Sequence, residues 1–472
     1  MIAAPKSGSG KTTITCALLQ SLKDRGQQVI SYKCGPDYID PMFHEKVLGV
    51  ASKNLDTFFT DEEQTRRLFL KNRTGEEFVV IEGVMGLYDG LGGICRDGSS
   101  YHLAEVTDTP IILVVDAKGM GRSVLALVAG FLSYDKKGLI QGVIFNRMSK
   151  TYYEIIKPFA EQELGIAVLG YFSEKKEYQV QSRHLGLVLP DEIEDIRCQI
   201  KKAAESLSQT VSVADILKIA ESAGVIENTE SEDLGKIVTL AVDRMITEQN
   251  PVIAVARDEA FCFYYEENLS LLEKYGARLE YFSPIRDKEL PEGCSGILLG
   301  GGYPELYADE LSANVSMRQS IKNAFEIGMP MVAECGGFIY LHEEMQDKSG
   351  KIYPMAGVLS GRCRDMKKSQ RFGYVEITEK ERRFLPEGEF IKGHEFHYFD
   401  SSDCGTDCVA RKPVTGKEYS CIVSGKHYWL GFPHLYYPSN PQFADYFVKT
   451  AKKFEKDVKD LLKNDEKRGY IC

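Results

Sequence analysis

Eight consecutive residues carry the first chemical signal: Lys6-Ser7-Gly8-Ser9-Gly10-Lys11-Thr12-Thr13. Glycines let backbone N–H groups turn toward phosphate oxygens, and the helix pattern that follows, to Lys23, adds its positive dipole end. Gly8, Gly10, Lys11, Thr12 and Thr13 are therefore the expected ATP-binding set. Lys11 would reach the β- and γ-phosphates and the Thr12 hydroxyl would ligate Mg²⁺. Pro5 stands where the first glycine of the usual motif falls. The plainer alternative, a Gly-rich turn before a helix, explains Gly-Lys-Thr-Thr less well. The metal also needs carboxylates. Glu82 ends the apolar run Phe78–Ile81, with Gly83 and Gly86 close behind. Asp56 is the natural second acid, and Asp116, at another strand end, competes for either role. Any one of them alone also reads as a helix cap or loop contact.

The second signal is a thiol. Met329-Pro-Met-Val-Ala-Glu-Cys335-Gly-Gly337 is a strand running into a cysteine between small residues, with a helix pattern from Phe338. That is elbow geometry, which exposes the thiol and sets it at a helix N-terminus expected to lower its pKa. A cysteine nucleophile needs a base. In this half of the chain the candidates are His342, His394, His397, His427 and His434. His434, in Trp429-Leu-Gly-Phe-Pro-His434, is the first choice. Backbone N–H groups of Gly301, Gly302 and Gly336 are the expected oxyanion hole. A buried structural cysteine is the alternative. Cys404 and Cys408 lie close in sequence, but no second Cys/His pair at ligand spacing accompanies them, so an ordinary loop is expected there.

These sites need scaffolds. The 472 residues are 43% hydrophobic and 27% charged, the balance of a globular chain of roughly two to four domains. The net charge of −11 gives no global attraction to nucleic acid or an anionic membrane. No apolar run reaches the ~18 residues of a membrane span. Pro110–Ala117 and Val124–Leu132 are the longest candidates. A Gly-rich loop stands where a secretion signal would need an apolar core, and 12 cysteines in such a chain read as free thiols, so a cytoplasmic protein is expected.

Strand patterns at Gln28–Tyr32, Phe78–Ile81, Pro110–Asp116, Ile140–Phe145 and Ile166–Leu169 alternate with helical patterns at Thr12–Lys23, Thr60–Lys71 and Gly121–Leu132. This is βαβ logic and predicts a doubly wound parallel sheet over residues 1–190. Residues 191–249 read as a charged helical connector. Strands return at Val252–Ala256, Arg278–Phe282, Gly296–Leu299 and Met329–Ala333, predicting a second doubly wound α/β domain over 250–446. A surface helix with a frayed end is expected over 447–472, with Phe454, Val458, Leu461 and Leu462 at helical spacing.

An ATP site and a Cys–His acyl-transfer site on one chain imply a coupled reaction. A thiol that attacks the side-chain amide of glutamine releases ammonia, and ATP can activate a carboxylate for ammonia to attack. The order of motifs then resembles the cobyrinic acid a,c-diamide synthase family of cobalamin-pathway glutamine amidotransferases, from about Ala3 to about Phe443. The motifs are Ser7–Thr13, Lys33-Cys-Gly-Pro-Asp-Tyr-Ile-Asp-Pro41, Glu82-Gly-Val-Met-Gly-Leu-Tyr-Asp-Gly90, Ser182-Arg-His-Leu-Gly-Leu187, Ala256-Arg-Asp-Glu-Ala-Phe261, Phe282-Ser-Pro284, Gly301-Gly-Tyr-Pro-Glu305, Ala333–Gly337 and Gly393-His-Glu-Phe-His-Tyr398. The Gly-Pro-Asp-Tyr-Ile-Asp segment argues against the related cobyric acid synthases.

The resemblance implies a dethiobiotin synthetase-like P-loop domain followed by a class I glutaminase domain, with Cys335 as nucleophile and His434 as base. The substrates it implies are cobyrinic acid, L-glutamine and ATP with Mg²⁺. Lys33 and Arg183 are then expected charge partners of the corrin carboxylates, Asp37, Tyr38, Asp40 and Asp89 line the synthetase cleft, and Asn146 contacts adenine. Tyr436 stands where the common glutaminase pattern has a Glu, which leaves the third member open. Lys6 resembles the extra lysine of deviant P-loop proteins, which in some members acts across a dimer. It reads equally as a solvated lysine, and a homodimer is open. Hydrogenobyrinate or nickel-sirohydrochlorin would suit the same chemistry. A regulatory ATPase fused to a degenerate amidase is the reading from another class, favoured by Lys6 alone.

Overall fold

Strands that are apolar on successive residues must be covered on both faces, and this requirement organises the first half of the chain. The structure, a computed structural model, describes residues 1–71, 75, 77–175, 190–224 and 250–469. The chain divides into two units at residue 229. In the first, strands β1 (Ile2–Ala3), β2 (Val29–Cys34), β3 (Ser52–Leu55), β4 (Phe78–Glu82), β5 (Ile111–Asp116), β6 (Ile140–Asn146) and β7 (Ala167–Phe172) form one sheet in the order β3-β2-β4-β1-β5-β6-β7. Every pairing in it is parallel. Helices α1 (Lys11–Asp24), α2 (Ile39–Phe43), α3 (Glu62–Lys71), α4 (Ser100–Val106), α5 (Ser123–Tyr134) and α6 (Lys150–Leu164) link the strands.

The short β1 lies between β4 and β5, so the phosphate-loop candidate and Glu82 leave neighbouring strands at the same edge, where parallel sheets bind ligands. The polar Ser-Lys-Asn-Leu sequence of β3 has no strand pattern, and it lies at the sheet edge. Of the connector expected over 191–249, residues 225–249 lie outside the described residues, and helices α7 (Pro190–Thr210) and α8 (Val213–Glu221) form a covering layer. Their Ile200, Ala203, Leu207 and Ile216, with Val211 between them, join the core formed with Ile14, Leu18 and Leu22 of α1. Charged residues of α7 such as Lys201, Lys202 and Glu205 form the opposite, solvated face.

The second unit repeats the principle with β8 (Val252–Ala256), β9 (Phe261–Phe263), β10 (Arg278–Phe282), β11 (Cys294–Leu299), β12 (Gly301–Gly302) and β13 (Met331–Glu334). The order β10-β8-β11-β13 continues through the strands Tyr428–Gly431 and Val423–Ser424, the last antiparallel. A five-stranded antiparallel sheet, absent from the sequence expectation, joins Arg371–Glu379, Phe390–His397 and His434–Leu435 among its members.

The final helix, Pro441–Gly469, is not wholly a surface element. Phe443, Phe447, Val448 and Ala451 are core residues packed with Trp429 and Phe384, and Phe454 is half-buried, whereas Leu461 is exposed. Phe447→Ala is therefore expected to destabilise the second unit by about 3–5 kcal/mol in urea unfolding, and Leu461→Ala by less than about 0.5 kcal/mol.

Candidate functional site

Between β1 and α1 the chain turns through Gly8 (φ 74°) and Gly10 (φ 94°), conformations that side chains resist. A Cβ on Gly10 would lie 2.1 Å from Asn146 Nδ2. Asn146, at the end of β6, donates to Ser9 O at 2.7 Å, and Arg147 Nη2 donates to Gly8 O at 2.6 Å and to Asp116 at 2.8 Å. The loop is thus braced from a second strand, and no side chain caps α1. Its first N–H groups are therefore available to an anion. Lys11 is buried and donates to Met85 O, and burial and Lys33 push its pKa down to about 8. Thr12 Oγ1 donates to Glu82 Oε1 at 2.6 Å, and Thr13, half-buried, follows in the same turn.

Behind the loop sits a closed group of charges. The β2–β4 register places Lys33 opposite Glu82. Lys33 Nζ lies 2.9 Å from Glu82 Oε1, 2.5 Å from Asp40 Oδ2 and 4.0 Å from Asp37 Oδ2. Burial opposes the charge on Lys33, but Glu82 and Asp40 outweigh it and hold its pKa well above the ordinary value. Burial also acts to raise Asp40, and Lys33 overcomes this and holds it low. Glu82, fully buried, is pushed up to about 7 by burial and by Asp40. His44, on the π-helical turn His44–Leu48, brings Nε2 within 3.6 Å of Glu82 Oε2. Neither atom has a hydrogen-bond partner among the described residues.

The structure places the Lys33 ammonium, expected to face a substrate carboxylate, against the internal carboxylates of Asp40 and Glu82, since a buried cation must be paired. Asp40 is committed to the same pair. Asp37 Oδ1 accepts from Ile39 N at 2.8 Å, and burial and Asp40 push its pKa up to about 6. Tyr38 is buried at the start of α2. Asp89 accepts from Gly86 N at 3.0 Å, and Asp56 accepts from Phe58 N at 2.8 Å. Asp116, the competing acid, is paired with Arg147. Lys6 is exposed. Arg183 and the whole Ser182–Leu187 motif lie outside the described residues.

The donor set suits nucleotide and Mg²⁺. Mg²⁺ takes one or two carboxylates with waters and phosphates and needs no closed protein cage. Thr12 Oγ1 and the carboxylate of Glu82, whose Oε2 is an unsatisfied buried acceptor, are the groups that meet here. His44 and Arg147 had no signal in the sequence, since neither lies in a recognisable motif.

In the second unit Cys335 has φ 45° and ψ −99°, a strained conformation for a side-chain-bearing residue. Cys335 N donates to Gly431 O at 2.9 Å, tying the elbow to the neighbouring strand. Contrary to the sequence expectation, the thiol is pushed above its ordinary pKa. Burial dominates, Glu305 adds to it, and the Gly336 amide at the short helix Gly336–Leu341 does not offset them. A Cβ on Gly336 would lie 3.0 Å from Gly302 N, so two of the three expected oxyanion donors are neighbours. A Cβ on Gly301 would lie 2.3 Å from His434 Cε1. The Gly301–Gly302 strand therefore adjoins both the imidazole and the elbow.

Among the five histidines, His342 Nδ1 donates to Phe338 O and His397 Nδ1 to Phe399 O, while His427 lies against Phe325. His394 is the direct cross-strand partner of His434, with rings stacked at 4.9 Å. Burial and His397 push His434 down to about 3, so it is a neutral imidazole able to accept a proton. Cys404 Sγ donates to Asp400, whereas Cys408 is buried opposite Cys421.

Comparison with known proteins gives two family matches: a CobQ/CobB/MinD/ParA nucleotide binding domain over residues 1–188 and a CobB/CobQ-like glutamine amidotransferase domain over residues 252–421. A protein of Caldanaerobacter subterraneus subsp. tengcongensis named cobyrinate a,c-diamide synthase is 39% identical over 439 residues, covering 92% of this chain and 94% of its own. Proteins of the same name from Fusobacterium nucleatum and Picrophilus torridus are 36% and 37% identical, each with 98% of its length covered by 94% and 96% of this chain.

Two outcomes follow from the site geometry. Lys33→Met leaves Glu82 and Asp40 buried without their cation and is expected to cost about 3–5 kcal/mol in urea unfolding. A change confined to substrate KM would instead mean that Lys33 faces the ligand. Because burial raises the Cys335 thiol, iodoacetamide at pH 8 is expected to label Cys335 more slowly than the exposed Cys198, and faster as pH rises, as peptide mass spectrometry would read.

Proposed function

The chain belongs to the cobyrinate a,c-diamide synthase family, and from that premise we propose that it converts the a and c carboxylates of cobyrinic acid to amides, using ATP and glutamine. The observation that carries this reading is the pairing, on one chain, of a braced phosphate loop beside Glu82 with a cysteine elbow and a histidine that both adjoin the Gly301–Gly302 strand.

In the glutaminase unit, His434 takes the Cys335 thiol proton as Sγ attacks the side-chain carbonyl of glutamine. Gly302 and Gly336 N–H groups hold the developing oxyanion. His434 then gives the proton to the departing ammonia, and water hydrolyses the glutamyl thioester. In the synthetase unit, the loop amides and Lys11 hold the triphosphate while a substrate carboxylate attacks the γ-phosphate, and ammonia displaces phosphate from the acyl phosphate. Thr12 and Glu82 would hold Mg²⁺, with Asp56 as the further acid. Mg²⁺ supplies charge neutralisation on the phosphates. Asp37, Tyr38, Asp89 and Arg183 are proposed to act on the substrate, and Asn146 acts first as the brace of the loop. ATP and glutamine are both available in the cytoplasm, which suits an enzyme acting there. Lys6, exposed on the loop, leaves room for a homodimer in which it reaches a partner's nucleotide.

The test is mass spectrometry of cobyrinic acid incubated with protein, Mg·ATP and glutamine. Each carboxylate-to-amide conversion lowers the mass by about one unit, and two conversions are expected. Cys335→Ser is expected to abolish glutamine use while ammonia still supports amidation. Lys11→Ala is expected to remove amidation from either nitrogen source, and retained synthesis would overturn the ATP assignment.

A further inference from the structure

A histidine that serves as base for a thiol needs its other nitrogen held by an acceptor, which fixes the tautomer and steadies the imidazolium. The usual acid two residues after the histidine is absent, since Tyr436 stands there. The structure brings a carboxylate from another strand. Glu334, the last residue of β13 and the one before the nucleophile, places Oε2 at 4.0 Å from His434 Nδ1. Its carboxyl accepts the Tyr437 hydroxyl at 3.2 Å and the Leu435 amide. Among the described residues no lysine or arginine pairs with it.

The segment bearing His434 is fixed by the same surroundings. Buried Asn268, on the helix Glu266–Lys274, donates to Leu435 O at 2.8 Å and accepts from Tyr437 N at 2.8 Å. Gly301 closes the Cε1 edge of the ring, and His394 stacks on its face. Glu334 thus lies at the Nδ1 side of the ring. We propose that Glu334 is the third member of the glutaminase site, a positioning residue that receives the His434 Nδ1–H and stabilises the imidazolium formed when Cys335 loses its proton.

This inference rests on the reading of Cys335 and His434 as nucleophile and base. The separation is about 1 Å beyond a hydrogen bond, and such contacts tighten when substrate is bound. Burial pushes Glu334 up to about 8, which favours the neutral acid in the resting site, and an imidazolium at His434 is the countercharge that would hold it as a carboxylate. Tyr264, Tyr437 and Cys335 are the other titratable groups around it, and none of them is a cation.

The test measures glutamine hydrolysis by the full-length protein. Glu334→Gln keeps an acceptor oxygen but removes the charge, and it is expected to lower kcat by about 10²-fold or more, with KM for glutamine within about twofold. Glu334→Asp is expected to restore part of the rate. Ammonia-supported amidation, which belongs to the other unit's site, and the Tm should stay at wild-type values, which establishes that the variant folds. Wild-type kcat in Glu334→Gln, or a loss of ammonia-supported amidation and Tm together with the glutaminase, would overturn the proposal. Cys335→Ser separates the two levels: if it still hydrolyses glutamine, the nucleophile assignment fails, whatever Glu334 does.

Discussion

A lysine ammonium almost without solvent is the constraint around which the first unit is built. Lys33 neutralises Glu82 and Asp40 in a space where either acid alone would have to take up a proton. The sheet register creates the pair, since Lys33 and Glu82 are direct neighbours on parallel strands. The same Glu82 oxygen accepts the Thr12 hydroxyl, so the ion pair also fixes the start of α1 and with it the loop. The acid proposed to hold the metal is thus kept beside a cation without a separate structural element to hold it.

The second unit solves a different problem, because the chemistry proposed for it needs a neutral imidazole and a thiol together, both buried. Here exclusion of water replaces ion pairing. The strained backbone at Cys335 is tied down by the strand Tyr428–Gly431, and His434 is held between Gly301 and the ring of His394. Larger residues at Gly301 or Gly336 would separate the groups that must meet. The raised thiol pKa means that burial favours the neutral pair, and charge separation has to be supported by whatever faces His434.

The two units share one device. Both place a glycine-lined turn at the carboxyl edge of a parallel sheet and brace it from another strand. In the first, Asn146 and Arg147 reach the loop from β6. In the second, Gly302 N lies beside Gly336 from β12. Parallel strands end level at one edge, so loops far apart in sequence meet there without long excursions.

Much of this was legible in the sequence, because local signals specify local structure. Gly-Lys-Thr-Thr before a helix, Glu82 at a strand end, Cys335 between small residues and the alternation of apolar runs all depend on neighbours along the chain, and they determined the two α/β units, the phosphate loop and the elbow. The edge strand β3, with its polar sequence, and the antiparallel sheet carrying His394 and His434 left no such pattern. The covering role of α7 and the core half of the last helix were hidden by their charged outer faces. Only the tertiary structure decided that Lys33 turns inward to Glu82, that His434 pairs across strands with His394, and that Glu334 approaches the imidazole. Those are decided by strand register and burial, which bring together residues far apart in sequence and set the charge each can carry.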